Sequence, residues 1–194
     1  RNKMSNKDNS KKKKSGENRL PGDIEPEEMI KRMIRVNQAG EYGAQRIYAG
    51  QLAVINNSSL RAKIKLMAEH EKEHLEKFNS LLLEREIRPT VLQPLWHILG
   101  FALGASTALM GEKSAMACTV AVEDAIDEHY AKQANYLGED EKELKEIILE
   151  TREEEIEHKE IASESLNNLQ SDLQPLRFAI KKGTKLAIWL SERF

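Results

Sequence analysis

The sequence predicts an all-α helical bundle, and three observations lead to that class. From Pro26 onward, apolar residues recur with helical spacing, and no stretch alternates between apolar and polar residues as an exposed strand would. Charged residues make up 32% of the chain and aromatic residues only 5%, a composition typical of long helices. The length of 194 residues is sufficient for one domain with a substantial core.

The N-terminal 24 residues differ in composition from the rest of the chain. They are rich in Lys, Asn and Ser and nearly free of apolar side chains, so we expect residues 1–24 to be a disordered basic tail. We expect residues 25–194 to form the folded domain. The whole chain has a formal net charge of −2, so the basic tail leaves the remainder acidic. An acidic domain is a poor candidate for binding nucleic acid.

Turn-forming residues divide the helical pattern into six segments. Pro26 suits the first turn of a helix, residues 56–59 have the composition of a turn, and Pro89 and Pro175 mark breaks. The approximate predicted spans are 26–55, 60–87, 94–110, 112–138, 141–169 and 175 to near the C-terminus.

The two halves of this predicted bundle carry the same pattern of acidic and histidine residues. In the first half, Glu41 on helix one is followed by E-x-x-H at 71–74 on helix two. In the second half, Glu123 on helix four is followed by E-x-x-H at 155–158 on helix five. Because such a pattern can arise by chance in a chain rich in acidic residues, the position of each side chain on its helix decides whether it is meaningful.

All six of these side chains lie on apolar faces. On helix one, Ile34, Glu41, Tyr48 and Ile55 recur every seven residues. The corresponding rows on helices two, four and five are Met67, Glu71, His74, Phe78 and Leu81; Met116, Val120, Glu123, Asp127 and Tyr130; and Ile148, Thr151, Glu155, His158 and Ala162. Four buried carboxylates without partners would be prohibitively costly, whereas two divalent cations would balance their charge.

This combination predicts a carboxylate-bridged site for two metal ions. Di-iron carboxylate bundles are built from one Glu on each of two helices and a Glu-x-x-His pair on each of two others. An oxygen-rich set with two imidazoles suits iron or manganese better than zinc or copper. The predicted ligands are Glu41, Glu71, His74, Glu123, Glu155 and His158.

The stretch HEKEH at residues 70–74 also matches H-E-x-x-H, the helical motif of zinc proteases. The second copy of the pattern has Glu154 at the position of His70, so the element that the halves share is E-x-x-H. A zinc protease would also leave Glu41 and Glu123 unexplained on apolar faces. We therefore favour the two-metal site and expect His70 to lie at the surface or beside the ligands.

Five stretches of the chain closely resemble the 5-demethoxyubiquinone hydroxylase family of ubiquinone biosynthesis. They are AGEYGAQRIYAGQLAV, EKEHLEKFN, RPTVLQPLWHILGFALGASTALMG, AMACTVAVEDAIDEHY and EEIEHKEIA, and the likeness extends from about Glu25 to Phe194. The resemblance implies a ferritin-like bundle that holds two iron ions. It assigns the same six ligands, with Glu71 and Glu155 bridging the metals.

The resemblance also implies a reaction, which is the O2-dependent hydroxylation of the ring of demethoxyubiquinol to give demethylubiquinol. It suggests that His129 and Tyr130 assist electron and proton transfer near the metals. Four further residues resemble positions that are proposed to contact NADH in the family. They are Arg32, Lys185, Trp189 and Arg193.

The same resemblance implies where the protein acts and with what partners. It suggests peripheral attachment to the matrix side of the inner mitochondrial membrane, or to the membrane of a bacterium. A lipid-binding accessory protein of ubiquinone biosynthesis is the implied partner, and we expect a homo-oligomer.

The segment from Pro89 to Gly111 contains no charged residue. We expect residues 92–110 to form an apolar helix that lies in the membrane interface, because Pro94 and several polar residues make it marginal for crossing a bilayer. Gly100, Gly104 and Ala108 form a row that permits close helix contact. Packing on a partner, or burial as an ordinary core helix, remains an alternative.

Two other functions are compatible with the same ligands. One is iron storage or ferroxidase activity in a ferritin-like protein, although such proteins have no use for a long uncharged segment. The other is a scaffolding role with a vestigial metal site, which the complete set of six ligands argues against.

Overall fold

A computed structural model of the chain describes residues 13–17, 19–166 and 173–194. Within these residues the protein contains α-helices, one short 3-10 helix at Glu139–Glu141 and no strand, so the predicted all-α class is confirmed. The helices are α1 Pro26–Val54, α2 Ser58–Glu84, α3 Gln93–Leu109, α4 Glu112–Tyr136, α5 Lys142–Glu164 and α6 Gln174–Ser191.

The ends of the helices follow from local sequence. Pro26 occupies the first turn of α1, and the side chain of Asn57 accepts hydrogen bonds from the first backbone amides of α2. The prediction placed the end of α2 at about Ile87, but α2 ends at Glu84 because Glu86 adopts a positive φ of 52°. The amides of Glu86 and Ile87 then bond back to Leu83 and Leu82, as in a Schellman motif.

The predicted end of α5 was also too late. The helix ends at Glu164, where the amide of Ser165 bonds to the carbonyl of Ala162 in a tightened last turn. The remainder of the predicted extension, residues 167–169, lies outside the described part of the chain.

Four of the helices, α1, α2, α4 and α5, form the ferritin-like bundle. A connection of three residues joins α1 to α2, and the 3-10 helix precedes α5, so that α1 packs on α2 and α4 packs on α5. Two apolar clusters fill the interior. One contains Ile34 and Phe78 and the other contains Met67 and Met116, and the ligand positions of each helix lie between them along the chain.

The helix α3 packs so closely on α1 that the backbones of the two helices are in contact. A Cβ atom added to Gly104 would lie 1.9 Å from the carbonyl oxygen of Ile47, and one added to Gly50 would lie 2.2 Å from that of Phe101. The predicted close contact of the small-residue row is therefore confirmed. Of the described helices, none combines the length and apolar character that a membrane crossing would require.

Part of the segment before α1, residues 13–17, contacts the folded domain. The backbone amide and hydroxyl of Ser15 both donate to the carboxylate of Asp140, at 2.8 and 3.0 Å, and Ser15 is buried. The amide of Glu139 donates to the carbonyl of Lys13. Polar contacts with the 3-10 helix that follows α4 therefore hold this segment, which composition could not anticipate. Residues 1–12 and 18 lie outside the description.

Candidate metal centre

The six predicted ligands converge in the centre of the bundle, and each is at most 1% exposed. Their ligand atoms form two groups of four, and within each group all atoms lie within 4.8 Å of one another. One group is Glu41, Glu71, His74 and Glu155, and the other is Glu71, Glu123, Glu155 and His158. Because Glu71 and Glu155 belong to both groups, they have the arrangement that bridging carboxylates require.

The histidines both point their Nδ1 atoms toward the carboxylates. Nδ1 of His74 lies 3.4 Å from Oε2 of Glu41 and 3.3 Å from Oε1 of Glu155. Nδ1 of His158 lies 3.3 Å from Oε1 of Glu71 and 3.1 Å from Oε2 of Glu155. These separations bring nitrogen and oxygen donors from four helices around two common points.

The buried atoms at these points lack hydrogen-bond partners. They are Oε2 of Glu41, both carboxylate oxygens of Glu71, Nδ1 of His74, Oε2 of Glu123 and Oε1 of Glu155. Buried polar atoms are otherwise almost always paired, and leaving several unpaired in one place is costly. A metal ion at each point would satisfy them, so these residues fit the cations that the donor set implies.

The electrostatics of the site agree with this fit. Burial, followed by repulsion from neighbouring carboxylates, raises the pKa of Glu71 and of Glu123 well above the usual value. Burial opposes ionisation of Glu155 too, but the adjacent imidazoles of His158 and His74 lower its pKa to about 2. Without cations, the cluster therefore retains protons that divalent metals would replace.

The zinc-protease interpretation of HEKEH does not match this geometry. His70 belongs to neither ligand group among the described residues, and its Nδ1 lies 3.1 Å from Nε2 of His158. The two histidines of the motif therefore do not converge on one metal point. His70 lies beside the ligands, as expected, and the counterpart residue Glu154 contacts Nε2 of His74 at 2.8 Å. The sequence offered a signal for both contacts, because each residue immediately precedes an E-x-x-H.

Two tyrosines hold the glutamates of α1 and α4. The hydroxyl of Tyr130, a predicted catalytic residue, donates to Oε1 of Glu41. The hydroxyl of Tyr48 donates to Oε1 of Glu123 at 3.0 Å. Sequence reasoning placed Tyr48 only in an apolar row, yet it follows Glu41 by seven residues, as Tyr130 follows Glu123.

The second predicted catalytic residue, His129, lies one position off the ligand face. Its Nε2 lies 2.7 Å from the side-chain nitrogen of Gln133, which forms a reciprocal amide pair with Asn37. The ring centroids of His129 and Tyr130 are 6.1 Å apart. Burial, with a smaller effect of Lys132, lowers the pKa of His129 to about 4, so the imidazole is neutral near pH 7.

The four residues predicted to contact NADH engage local partners. Arg32 pairs with Glu28, and Lys185 pairs with Glu128 at 2.5 Å. Just after the end of α6, the guanidinium of Arg193 lies 4.1 Å from the ring centroid of Trp189. Lys185 and Trp189 therefore lie on α6, and Arg193 lies in the turn that follows it. Among the described residues, no hydrogen bond or ion pair joins Arg32 to these three.

An apolar cavity of about 660 Å³ lies between α1, α3, α4 and α6. Gly40 and Ala44, which flank Glu41 in the chain and on its helix, line the cavity, as does Val122, which precedes Glu123. The indole nitrogen of Trp96 on α3 donates to the hydroxyl of Ser191 on α6 and links two walls of the cavity. A long apolar molecule could therefore approach the metal centre from the side that α3 and α6 cover.

The sequence matches the family of the ubiquinone biosynthesis protein COQ7 over residues 28–191. The chain belongs to the COQ7 family. Family membership confirms the resemblance given above and makes the chain an enzyme, a hydroxylase of ubiquinone biosynthesis, in preference to a ferritin-like storage protein.

Three relatives illustrate the similarity. The 3-demethoxyubiquinol 3-hydroxylase of Rhodospirillum rubrum is 51% identical over 182 residues, covering 93% of this chain and 86% of the relative. The human NADPH-dependent 3-demethoxyubiquinone 3-hydroxylase, mitochondrial, is 49% identical over 168 residues, covering 84% and 77%. The mitochondrial 5-demethoxyubiquinone hydroxylase of Saccharomyces cerevisiae is 37% identical over 181 residues, covering 84% and 78%.

Proposed function

We propose that this COQ7-family chain is a di-iron monooxygenase that uses O2 to hydroxylate the ring of demethoxyubiquinol, giving demethylubiquinol. The observation that carries the proposal is that Glu71 and Glu155 are shared between two buried ligand groups. An apolar cavity lined by neighbours of Glu41 and Glu123 adds support, because it offers a place for a quinol beside the metals.

The six ligands would hold one iron through Glu41 and His74 and the other through Glu123 and His158, with Glu71 and Glu155 shared. Bound ferrous ions would supply the electrons and the open coordination positions that O2 activation requires. The surrounding apolar clusters exclude water from this point. The protein itself would orient the ring and manage protons.

Tyr130 is the residue best placed to manage a proton. Its hydroxyl donates to Oε1 of Glu41, and burial is the main reason why the pKa of Tyr130 is raised well above its ordinary value. The side chain therefore holds its proton at that oxygen throughout the physiological pH range. His129, which is adjacent to Tyr130 and neutral near pH 7, would assist it in electron and proton transfer.

The exposed face of α3 supports delivery of substrate from a membrane. Large apolar side chains on this face are exposed, such as Ile98 at 66% and Leu109 at 76%. Their exposure is unfavourable in water and would be favourable in lipid. We propose that residues 92–110 lie in the membrane interface, with α3 forming one wall of the path from lipid to the cavity. A lipid-binding accessory protein and assembly into a homo-oligomer belong to the same proposal.

The reductant would be a reduced nicotinamide dinucleotide. One oxygen atom of O2 enters the ring as a hydroxyl and the other leaves as water, so each turnover needs two further electrons. NADH contacting Arg32, Lys185, Trp189 and Arg193 would supply them; the human relative is named NADPH-dependent. Lys185 pairs with Glu128, so a phosphate group would share or displace that carboxylate.

The location that fits this chemistry is the matrix side of the inner mitochondrial membrane, with peripheral attachment. Eukaryotic relatives are named mitochondrial, whereas the Rhodospirillum relative is bacterial. In a bacterium the corresponding site would be the membrane that contains the quinone pool.

The decisive experiment measures metal content and product together. We expect about two iron ions per chain in protein purified anaerobically without chelator, and one ¹⁸O atom in the product ring when ¹⁸O2 is the oxidant. Replacing Glu155 with Gln should abolish hydroxylation, whereas Glu153→Gln, at an exposed neighbouring position, should not. One zinc ion and no iron, or label incorporated from water, would contradict the proposal.

The cavity assignment has its own test. A Cβ atom added to Gly183 in the α6 wall meets no atom within 4 Å, so Gly183→Leu should fold while projecting into the cavity. We expect its KM to rise for a substrate with a long isoprenoid tail and to stay near the wild-type value for a short-tailed analogue. Gly183→Ala is the matched control. Equal effects on the two substrates would contradict placement of the tail in this cavity.

A further inference from the structure

The two halves of the metal centre are closely matched on the side that faces the metals. Each metal point has its own glutamate from α1 or α4, an imidazole from α2 or α5 and the two shared carboxylates. Each of the glutamates Glu41 and Glu123 accepts a hydrogen bond from a buried tyrosine on the opposite helix. The two metal positions therefore have the same set of donor types on this inner side.

The outer nitrogens of the two imidazoles, in contrast, have different partners. Nε2 of His74 lies 2.8 Å from Oε2 of Glu154, and Nε2 of His158 lies 3.1 Å from Nδ1 of His70. The contacts cross over, because the residue that precedes each E-x-x-H reaches the histidine of the other motif. The ring of His70 also stacks on that of His158, with centroids 5.3 Å apart.

These partners differ in charge, which alters what each imidazole can donate to a metal. With Nδ1 facing the metal point, Nε2 carries the proton and donates it outward. A carboxylate acceptor makes the imidazole more basic and forms the shorter, charge-assisted hydrogen bond. An imidazole acceptor such as His70 does so more weakly, although it still fixes the orientation of the His158 ring.

We infer that the two metal positions are inequivalent and that Glu154 and His70 set the order of loading, with the position of Glu41 and His74 binding the first divalent ion more tightly. Glu154 and His70 are thus positioning residues, which act through the two histidine ligands. The inference rests on the two-metal site proposed above and adds to it the direction of the asymmetry.

The test is an anaerobic titration of the metal-free full chain with Co²⁺, whose visible absorption reports each bound ion separately from turnover. For the wild type we expect two ions to bind in two resolved steps. Glu154→Gln should weaken the tighter step by about 10- to 100-fold, the usual effect of losing such an outer contact, and leave the weaker step unchanged. His70→Glu should tighten the weaker step and so reduce the difference in affinity between the two steps.

Two control variants separate a specific contact from a general change of charge. Glu153→Gln removes the same charge at an exposed position next to Glu154, and Lys72→Gln makes the same change in net charge as His70→Glu at an exposed position nearby. Both controls should titrate as the wild type does. Circular dichroism of each variant should show the wild-type helix content, which excludes misfolding as the cause of a lost step.

The outcomes distinguish this inference from the proposed function. Two ions that bind in equal steps, or wild-type titrations for both Glu154→Gln and His70→Glu, would overturn the inference and leave the di-iron function intact. A chain that binds fewer than two ions would overturn the two-metal site itself. Two resolved Co²⁺ steps in a chain whose iron form never hydroxylates a quinol would instead refute only the function.

Discussion

The hydroxyl of Tyr48 on α1 donates a 3.0 Å hydrogen bond to Oε1 of Glu123 on α4, in the mirror image of the bond from Tyr130 on α4 to Glu41 on α1. In both glutamates the other oxygen, Oε2, is buried without a partner. Burial is the main cause of the raised pKa of both tyrosines, so each remains a donor. Each tyrosine therefore fixes one carboxylate oxygen and leaves the second for a metal.

Loss of the Tyr48 hydroxyl should weaken the protein without changing its fold. We expect Tyr48→Phe to lower the free energy of unfolding of the metal-loaded protein by about 1.5–3 kcal/mol, the range for hydrogen bonds to charged groups. Urea denaturation measures this. Tyr42→Phe is the control, because the hydroxyl of Tyr42 contacts His97 at the protein surface, and it should cost less than about 1 kcal/mol. Equal costs would show that the Glu123 contact stabilises the protein no more than a hydrogen bond at the surface does.

The matching variant Tyr130→Phe should differ from Tyr48→Phe in turnover. Tyr48 is surrounded by apolar groups such as Met67, whereas Tyr130 lies beside His129, which contacts Gln133. Only Tyr130 therefore adjoins a polar path that could carry a proton. We expect Tyr130→Phe to reduce kcat by at least about 10-fold, in the range for proton-transfer groups, and Tyr48→Phe to reduce it only a few-fold at equal iron content. A similar kcat for the two variants would assign both tyrosines to carboxylate positioning alone.

Removal of the metals should reverse the dependence of stability on pH above neutrality. Burial lowers the pKa of His74, but the adjacent carboxylates of Glu155 and Glu41 outweigh it and raise the value to about 11 from the ordinary 6.5. The stabilisation from protonated His74 is complete below pH 6.5 and is lost as the pH rises toward 11. The raised pKa values of Glu71 and Glu123 act in the same direction. Metal-free protein should therefore lose stability from pH 6.5 to 8.5, by up to about 1.4 kcal/mol per pH unit from His74 alone.

The metal-loaded protein provides the comparison for this experiment. Its ligands are already deprotonated and bound, so proton release no longer accompanies a rise in pH and its stability should stay constant or increase over the same interval. Denaturation midpoints at pH 6.5, 7.5 and 8.5, with and without chelator, measure both trends. The interval lies above the range in which His129 titrates, because the pKa of His129 is lowered to about 4. If the stability of the metal-free protein did not change in this interval, the prediction that His74 is protonated there would be wrong.

The sequence was sufficient to predict the helices and the six inward side chains, because both depend on spacing along single helices. Glu41 and Glu71 could be assigned to apolar faces from their neighbours alone. The structure adds which faces meet, and that depends on the crossing of different helices. The partnership of Glu154 with His74, and that of Tyr48 with Glu123, required the relative rotation of α1, α2, α4 and α5.

The prediction was less accurate where polar contacts replace apolar burial. Ser15 lies in a segment with the composition of a disordered tail, but Asp140 and the amide of Gly138 satisfy its polar groups. The left-handed Glu86, which ends α2, gave no signal because glycine is the usual residue at that position. In both cases a few specific hydrogen bonds decide the local structure, and composition does not record them.

The contact between α3 and α1 should be far less tolerant of substitution than the glycines of α6. A Cβ atom at Gly104 would lie 1.9 Å from the carbonyl oxygen of Ile47, so Gly104→Ala must push α3 away from α1. We expect a loss of about 1–3 kcal/mol in the free energy of unfolding, the range for overpacked sites. Gly183→Ala meets no atom within 4 Å and should be neutral or stabilise the protein by up to about 1 kcal/mol, since alanine favours the helix. If Gly104→Ala proved as stable as Gly183→Ala in urea denaturation, α3 would have to be mobile relative to α1, and the apolar cavity between them would lose its fixed wall.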